Sequence, residues 1–163
     1  MDVALLAWPI KRLAVARLTA YANGTETPPA GVAPLVSTPS RPVQVSHFFP
    51  TGGPERVCIY GVPLRAVATE QTAEDPSVIG QTAIIEFRVR VYEPGEDVTG
   101  VDWQLGDLCT AVATALLEEP LFPAGRIWLS AVAQEPQELT PNPDPSVTAV
   151  AALVFSAEAL AYA

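Results

Sequence analysis

The chain has 163 residues, 49% of them hydrophobic and 17% charged, with a formal net charge of −9. That length suits a single domain over 1–163 with one proper core, and the composition excludes a disordered chain, which lacks the apolar surface to offset its ordering entropy. Nine Lys and Arg against 18 Asp and Glu, with no basic run, exclude DNA or RNA binding by phosphate neutralisation.

The N-terminus places Met1-Asp2 before an apolar run and Pro9, Lys11 and Arg12 after it, the reverse of a signal peptide. No run of about 18 uncharged apolar residues occurs, so no membrane span is expected. The expectation is a soluble chain made in a reducing cytoplasm, with Cys58 and Cys109 as small buried hydrophobes bearing free thiols.

In chain order, Ile10, Leu13, Ala14, Leu18 and Tyr21 form one helical stripe, with Pro9 suited to the first turn and Asn23-Gly24 as the stop. Residues 3–8 are either a separate turn or part of one kinked helix. Residues 25–42 hold five prolines and read as an extended surface segment. Strand signals begin at PVQVSHFF and continue, after the turn Thr51-Gly52-Gly53-Pro54, in RVCIYGVPLRAVATEQ, where Gly61 and Pro63 mark a bulge or an edge. Residues 71–81 read as a polar loop.

The clearest strand is AIIEFRVRVYE. Ala83, Ile85, Phe87, Val89 and Val91 take one face; Ile84, Glu86, Arg88, Arg90 and Tyr92 take the other. The arginines are either solvated or meet acidic groups of a neighbouring subunit. PGEDVTGVD then leads into a helix, with Thr99 and Asp102 resembling a capping box. Leu105, Leu108, Cys109, Val112, Ala115 and Leu116 form its apolar face. The strand RIWLSAVAQ puts Ile127, Leu129, Ala131 and Ala133 on one side. The closing run SVTAVAALVFSAEAL puts Val147, Ala149, Ala151, Leu153 and Phe155 together; its alanines also suit a helix, but Val, Thr and Phe favour a strand. The order αβββαββ predicts an α+β fold: an antiparallel or mixed sheet of about five strands with two helices packed on it.

Between the last two strands, PQELTPNPDP carries Pro136, Pro141, Pro143 and Pro145. Residues 136–145 read as a proline-rich hairpin loop, longer than the usual two to five residues. A stiff tip loses little entropy on docking, so it suits contact with a neighbour.

The chain carries no Walker A loop, Rossmann glycine pattern, GxSxG or HExxH. His47, the single histidine, reads as a core or edge residue, and two cysteines with it make a structural zinc site improbable. Ser46, adjacent in a strand, projects to the opposite face and cannot be its nucleophile. Glu93, Glu96, Asp97 and Asp102 form an acidic loop that reads as solvated, the alternative being a small acidic metal-dependent enzyme. Trp8, Trp103 and Trp128 read as core or interface packing, and with Arg88, Arg90 and Arg126 they are the residue types that dominate interface energetics.

The strand IIEFRVRVYEP, the helix DWQLGDLCTAVATALL, GRIWLSAVAQEPQELTPNPDP and the closing SVTAVAALVFSAEAL resemble the tail terminator proteins of long-tailed (siphovirus-type) bacteriophages. The N-terminal helix and the first two strands follow the same order. The resemblance implies a structural protein, not an enzyme, without cofactor. It implies a homohexameric ring at the head-proximal end of the virion tail, assembled in the host cytoplasm, that caps the tail tube, ends its polymerisation and offers the head–tail joining surface. Its partners would be itself, the major tail tube protein and head–tail connector proteins, with DNA passing only transiently through the lumen and no membrane. The candidate subunit or tail-tube interface is Arg88, Arg90, Tyr92, Trp128, Pro136, Leu139, Pro141, Pro143 and Pro145. Another head–tail connector or tail completion protein is the alternative.

Overall fold

A computed structural model of the chain describes residues 3–53, 55–62, 65–67, 78–95, 98–118 and 129–162. Its spine is a pair of long strands. β4 (Val78–Pro94) and β6 (Ser146–Tyr162) run antiparallel in unbroken register, from Val78 opposite Tyr162 to Pro94 opposite Ser146. β5 (Leu129–Pro141) flanks β6. On the other side of β4 lie β2 (Val57–Gly61) and β3 (Arg65–Val67), and β1 (Val43–Ser46) joins β2 in parallel at the edge. The result is an α+β fold with a mixed sheet in the order β1-β2-β4-β6-β5, β3 pairing with β4. Six strands replace the expected five because the run after residue 56 breaks between Gly61 and Arg65, giving two strands on one edge of β4.

Alternation decides which face is core. Ala83, Ile85, Phe87, Val89 and Val91 of β4 are fully buried, as are Val57 and Ile59 of β2. Val147, Ala149, Ala151, Leu153, Phe155 and Ala157 of β6 join them in one cluster. Phe87 and Phe155 meet edge to face, 6.5 Å apart at 66°, which adds about 1 kcal/mol to their burial. The closing run is therefore a strand, and its alanines let a helix come close.

Both helices bury their apolar stripes in that cluster. α1 (Val3–Ala22) contributes Ile10, Ala14, Val15, Leu18 and Tyr21; Leu13 is half-buried at its margin. Pro9 lies inside α1 and not in its first turn, so residues 3–8 belong to one helix. Gly24, at φ +75°, ends it, and Asn23 Oδ1 accepts the Thr25 N–H at 2.9 Å. α2 (Val98–Leu117) buries the face read from its sequence, together with Val101 and Ala111. It begins at Val98, so Thr99 sits within the first turn and does not cap it. Arg17 Nη1 of α1 donates to the Ala115 carbonyl near the end of α2 at 3.2 Å, tying the helices together.

The proline-rich stretch 25–42 is not extended throughout. Ala30–Leu35 form a 3₁₀ turn whose Val32 and Leu35 are fully buried in the core. Proline suits the first turn of such a helix, and Pro29 precedes it. Beyond it the Ser37 N–H donates to the Ala22 carbonyl at 2.8 Å, and the Val43 N–H to Ser37 Oγ at 3.0 Å, which leads the chain into β1.

Two strand limits also differ from expectation. β4 starts at Val78, inside the stretch read as a polar loop, because β6 continues to Tyr162 and supplies partners for Val78–Gln81. β5 continues to Pro141, so the hairpin loop is 142–145 and not 136–145. Prolines are tolerated there because β5 is an edge strand, and its register shifts between Pro136 and Glu138. A second shift between Ala131 and Ala133 moves Ala133 out of the face shared by Leu129 and Ala131.

Gly106 lies in the interior of α2 with open space where a Cβ would stand. Gly106→Ala is expected to raise stability by about 1 kcal/mol, seen as a rise of roughly 2–4 °C in the thermal midpoint. An unchanged or lower midpoint would contradict the helix at this position.

Candidate functional site

Two helices of 20 residues each span about 30 Å, the length of roughly nine strand residues. The run of fully buried alternate residues, Ala83–Val91, has that length. A strand of 17 residues extends to about 55 Å, longer than either helix. The helices also lie on one face only. Ile84, Glu86, Arg88, Arg90 and Tyr92 of β4 and Thr148, Val150, Val154 and Ser156 of β6 occupy the other face, half-buried.

The register sets this face out in rows. Tyr60 stands opposite Arg88, Arg88 opposite Ala152, and Ala152 opposite Glu135. In the next row Cys58 stands opposite Arg90, and Arg90 opposite Val150. Arg88 Nε is buried and has no hydrogen-bond partner among the described residues. Among the described residues the ion pair present is Arg56 with Glu93, and it includes neither Arg88 nor Arg90. Arg88, Arg90 and Tyr92 thus come together on one surface, as their alternation indicated.

The hairpin end is compact. Asn142 Nδ2 donates to Ser146 Oγ (2.9 Å) and Thr148 Oγ1 (3.0 Å), and Ser146 Oγ donates to Asp144 Oδ1 at 2.5 Å. The Gly95 N–H donates to the Pro145 carbonyl at 2.6 Å, tying the tip to the end of β4. Pro141, Pro143 and Pro145 are exposed there. This is a short tethered corner, not the long arm that the prolines suggested. Pro136 and Leu139 lie within β5, away from the tip. Trp128 falls outside the described residues.

Among the described residues the acidic loop forms no metal site. Glu93 is committed to Arg56, Asp102 is exposed on α2, and Glu96 and Asp97 fall outside the described residues. Among the described residues no group of His, Cys, Asp and Glu is placed to hold a metal ion. Cys58 and Cys109 are buried free thiols. Burial pushes both up to about 11; for Cys58 the Arg90 charge and a Ser46 hydrogen bond oppose the rise. Neither is a nucleophile at neutral pH. Ser46 Oγ donates to the Phe48 carbonyl at 2.6 Å, and His47 Nδ1 is buried without a partner. His47 borders an open groove of about 490 Å³ between α1 and β1, lined also by Arg12, Val15 and Thr19. No described helix is long and apolar enough to cross a membrane.

A second surface was hidden in the sequence. Phe48 and Phe49 read as strand residues, but β1 stops at Ser46 and leaves them 48% and 49% exposed. Phe49 meets Tyr60 edge to face at 5.2 Å; Phe48 meets Trp8 at 6.4 Å. Beneath them Lys11 is fully buried, its Nζ 4.0 Å from the Phe48 ring centroid and donating to the Val62 carbonyl at 3.1 Å. Desolvation lowers its pKa from the ordinary lysine value. A helical lysine gives no such signal; the one hint was the Phe48-Phe49-Pro50 run before a turn. Trp103, 74% exposed on α2, is solvent-facing and not core.

Gly61 makes room for this arrangement. A Cβ there would lie 2.5 Å from Lys11 Cε and 2.8 Å from the His47 carbonyl oxygen. Gly61→Ala is expected to cost about 1–3 kcal/mol in chemical denaturation, with part recovered on adding Lys11→Ala. A cost below about 0.5 kcal/mol, the range of ordinary surface changes, would contradict the close approach.

The chain matches no protein-family model and no curated protein.

Proposed function

We propose that this chain is the subunit of a ring that caps a bacteriophage tail tube, ends its polymerisation and provides the surface that joins the head. The observation that carries the reading is the half-covered sheet. Helices occupy one face, while the other presents apolar side chains around Arg88 and Arg90, a composition suited to protein contact. The sequence runs that resemble tail terminators lie on β4, α2, β5 and β6, and three of these, the strands, build this surface.

The charge balance fits such a role. A net charge of −9 disfavours adhesion to nucleic acid, so DNA would pass through the lumen without being held. The partners in this reading are further copies of the chain, six by the resemblance to tail terminators, the major tail tube protein and head–tail connector proteins, within the virion. The work is done by shape and surface, without a cofactor or a catalysed reaction.

Negative-stain images and native mass measurement of the purified chain, alone and mixed with tail tubes, test the reading. Rings, or density at one end of each tube, are expected. A chain that stays monomeric at high concentration and decorates no tube end would contradict it. Decoration of tailless heads instead would point to a head-side connector.

A further inference from the structure

We infer that the Arg88–Arg90 face of β4 receives the acidic β5 edge of a second copy of this chain, in a head-to-tail contact. The inference rests on the self-assembly proposed above, and not on the tail tube.

On this face β4 carries Arg88 and Arg90 in its middle, with Glu86 two residues before Arg88; β6, beside it, contributes Val150, Val154 and the buried Ala152; β5, at the edge, carries Glu135 and Glu138. Arg88 and Glu135 share one row with only Ala152 between them, so their backbones are about 10 Å apart. Even so, they form no ion pair with each other. Glu135 is exposed, while Arg88 is half-buried with an orphaned Nε. A buried N–H without a partner is costly, and a carboxylate is its best acceptor.

The β5 edge is suited to being the donor side of the contact. Pro136 and Pro141 offer no backbone N–H, and two register shifts interrupt the strand. Such an edge resists recruiting another strand through a hydrogen-bond ladder. It meets a neighbour through side chains, and those of its exposed stretch include Gln134 and Glu135, with Asp144 at the tip. The tip hydrogen bonds and the Gly95–Pro145 tether hold this edge in one shape, so little ordering entropy is lost on docking. The acidic edge and the cationic face are different parts of one subunit. Pairing them joins unlike patches, the kind of contact that closes into a ring when the rotation allows.

Charge reversal tests this. The wild-type chain is expected to form species larger than a dimer by analytical ultracentrifugation, weakening as NaCl rises from about 0.1 to about 0.5 M. Glu135→Arg/Glu138→Arg and Arg88→Glu/Arg90→Glu should each weaken assembly at least about tenfold, and an equimolar mixture of the two should restore it. Glu135 is exposed, so the glutamate variant carries the test alone if the arginine variant fails to fold. Assembly untouched by either reversal overturns this contact and leaves the ring reading standing. Assembly that stops at a dimer overturns the head-to-tail arrangement. Energetic coupling between Arg88 and Glu135 in the stability of the monomer also overturns it, since the two would then satisfy each other within one chain. A wild-type chain that neither assembles nor binds tube ends overturns the ring reading, and this contact with it.

Discussion

The structure depends on the in-register pairing of β4 with β6. From Val78 opposite Tyr162 to Pro94 opposite Ser146, that pairing places every second residue on the helical side. A slip of one residue would send Phe87 and Phe155 outward and draw Arg88 and Arg90 into the core. The described core cluster is apolar and offers neither arginine a partner, and an unpaired buried guanidinium is among the most costly groups a core can hold. The register is therefore specified twice, by what must be buried and by what must not. The other strands attach to this pair, and both helices seal one face of it.

The same pairing produces the surfaces that remain. The strands are longer than the helices that cover them, and both helices lie on one side. What is left is a half-buried sheet face with two arginines, an edge interrupted by prolines, and an exposed aromatic cluster held over Lys11 at the end of β2. None of these groups has the geometry of a nucleophile with its base. The thiols are buried and Ser46 is bound to a backbone carbonyl. Their common property is the capacity to touch another macromolecule, which is why a structural reading accounts for them with fewest assumptions.

Much of the fold was legible in the sequence because alternation is a strong signal. The two faces of β4, the apolar side of β6 and the buried face of α2 follow directly from residue spacing, and so do the free cysteines. What was misread depended on partners distant in sequence. Val78–Gln81 look polar and loop-like, but β6 supplies a strand for them to pair with. Pro136 and Pro141 look like loop residues; an edge strand has no outer ladder for them to break. The 3₁₀ turn at Ala30–Leu35 was masked by its prolines, although Val32 and Leu35 anchor it in the core. Of the candidate contact residues, Arg88, Arg90 and Tyr92 share a surface because strand periodicity is local. The hairpin prolines do not form a reaching arm, because β5 takes up more than half of the stretch and Gly95 tethers its end. The Lys11 cluster was illegible, since it joins α1 to the end of β1 across a gap that only Gly61 leaves open.

The central claim is that the Arg88–Arg90 face of the β4–β6 sheet, opposite the helices, is a protein-contact face. Hydroxyl-radical footprinting of Ile84, Tyr92, Val150 and Val154, in the dispersed chain and in the assembled particle, tests it most directly. The account predicts strong protection of all four on assembly, while exposed Trp103 on the helical side serves as the comparison position. Equal labelling of the four in both states would contradict it.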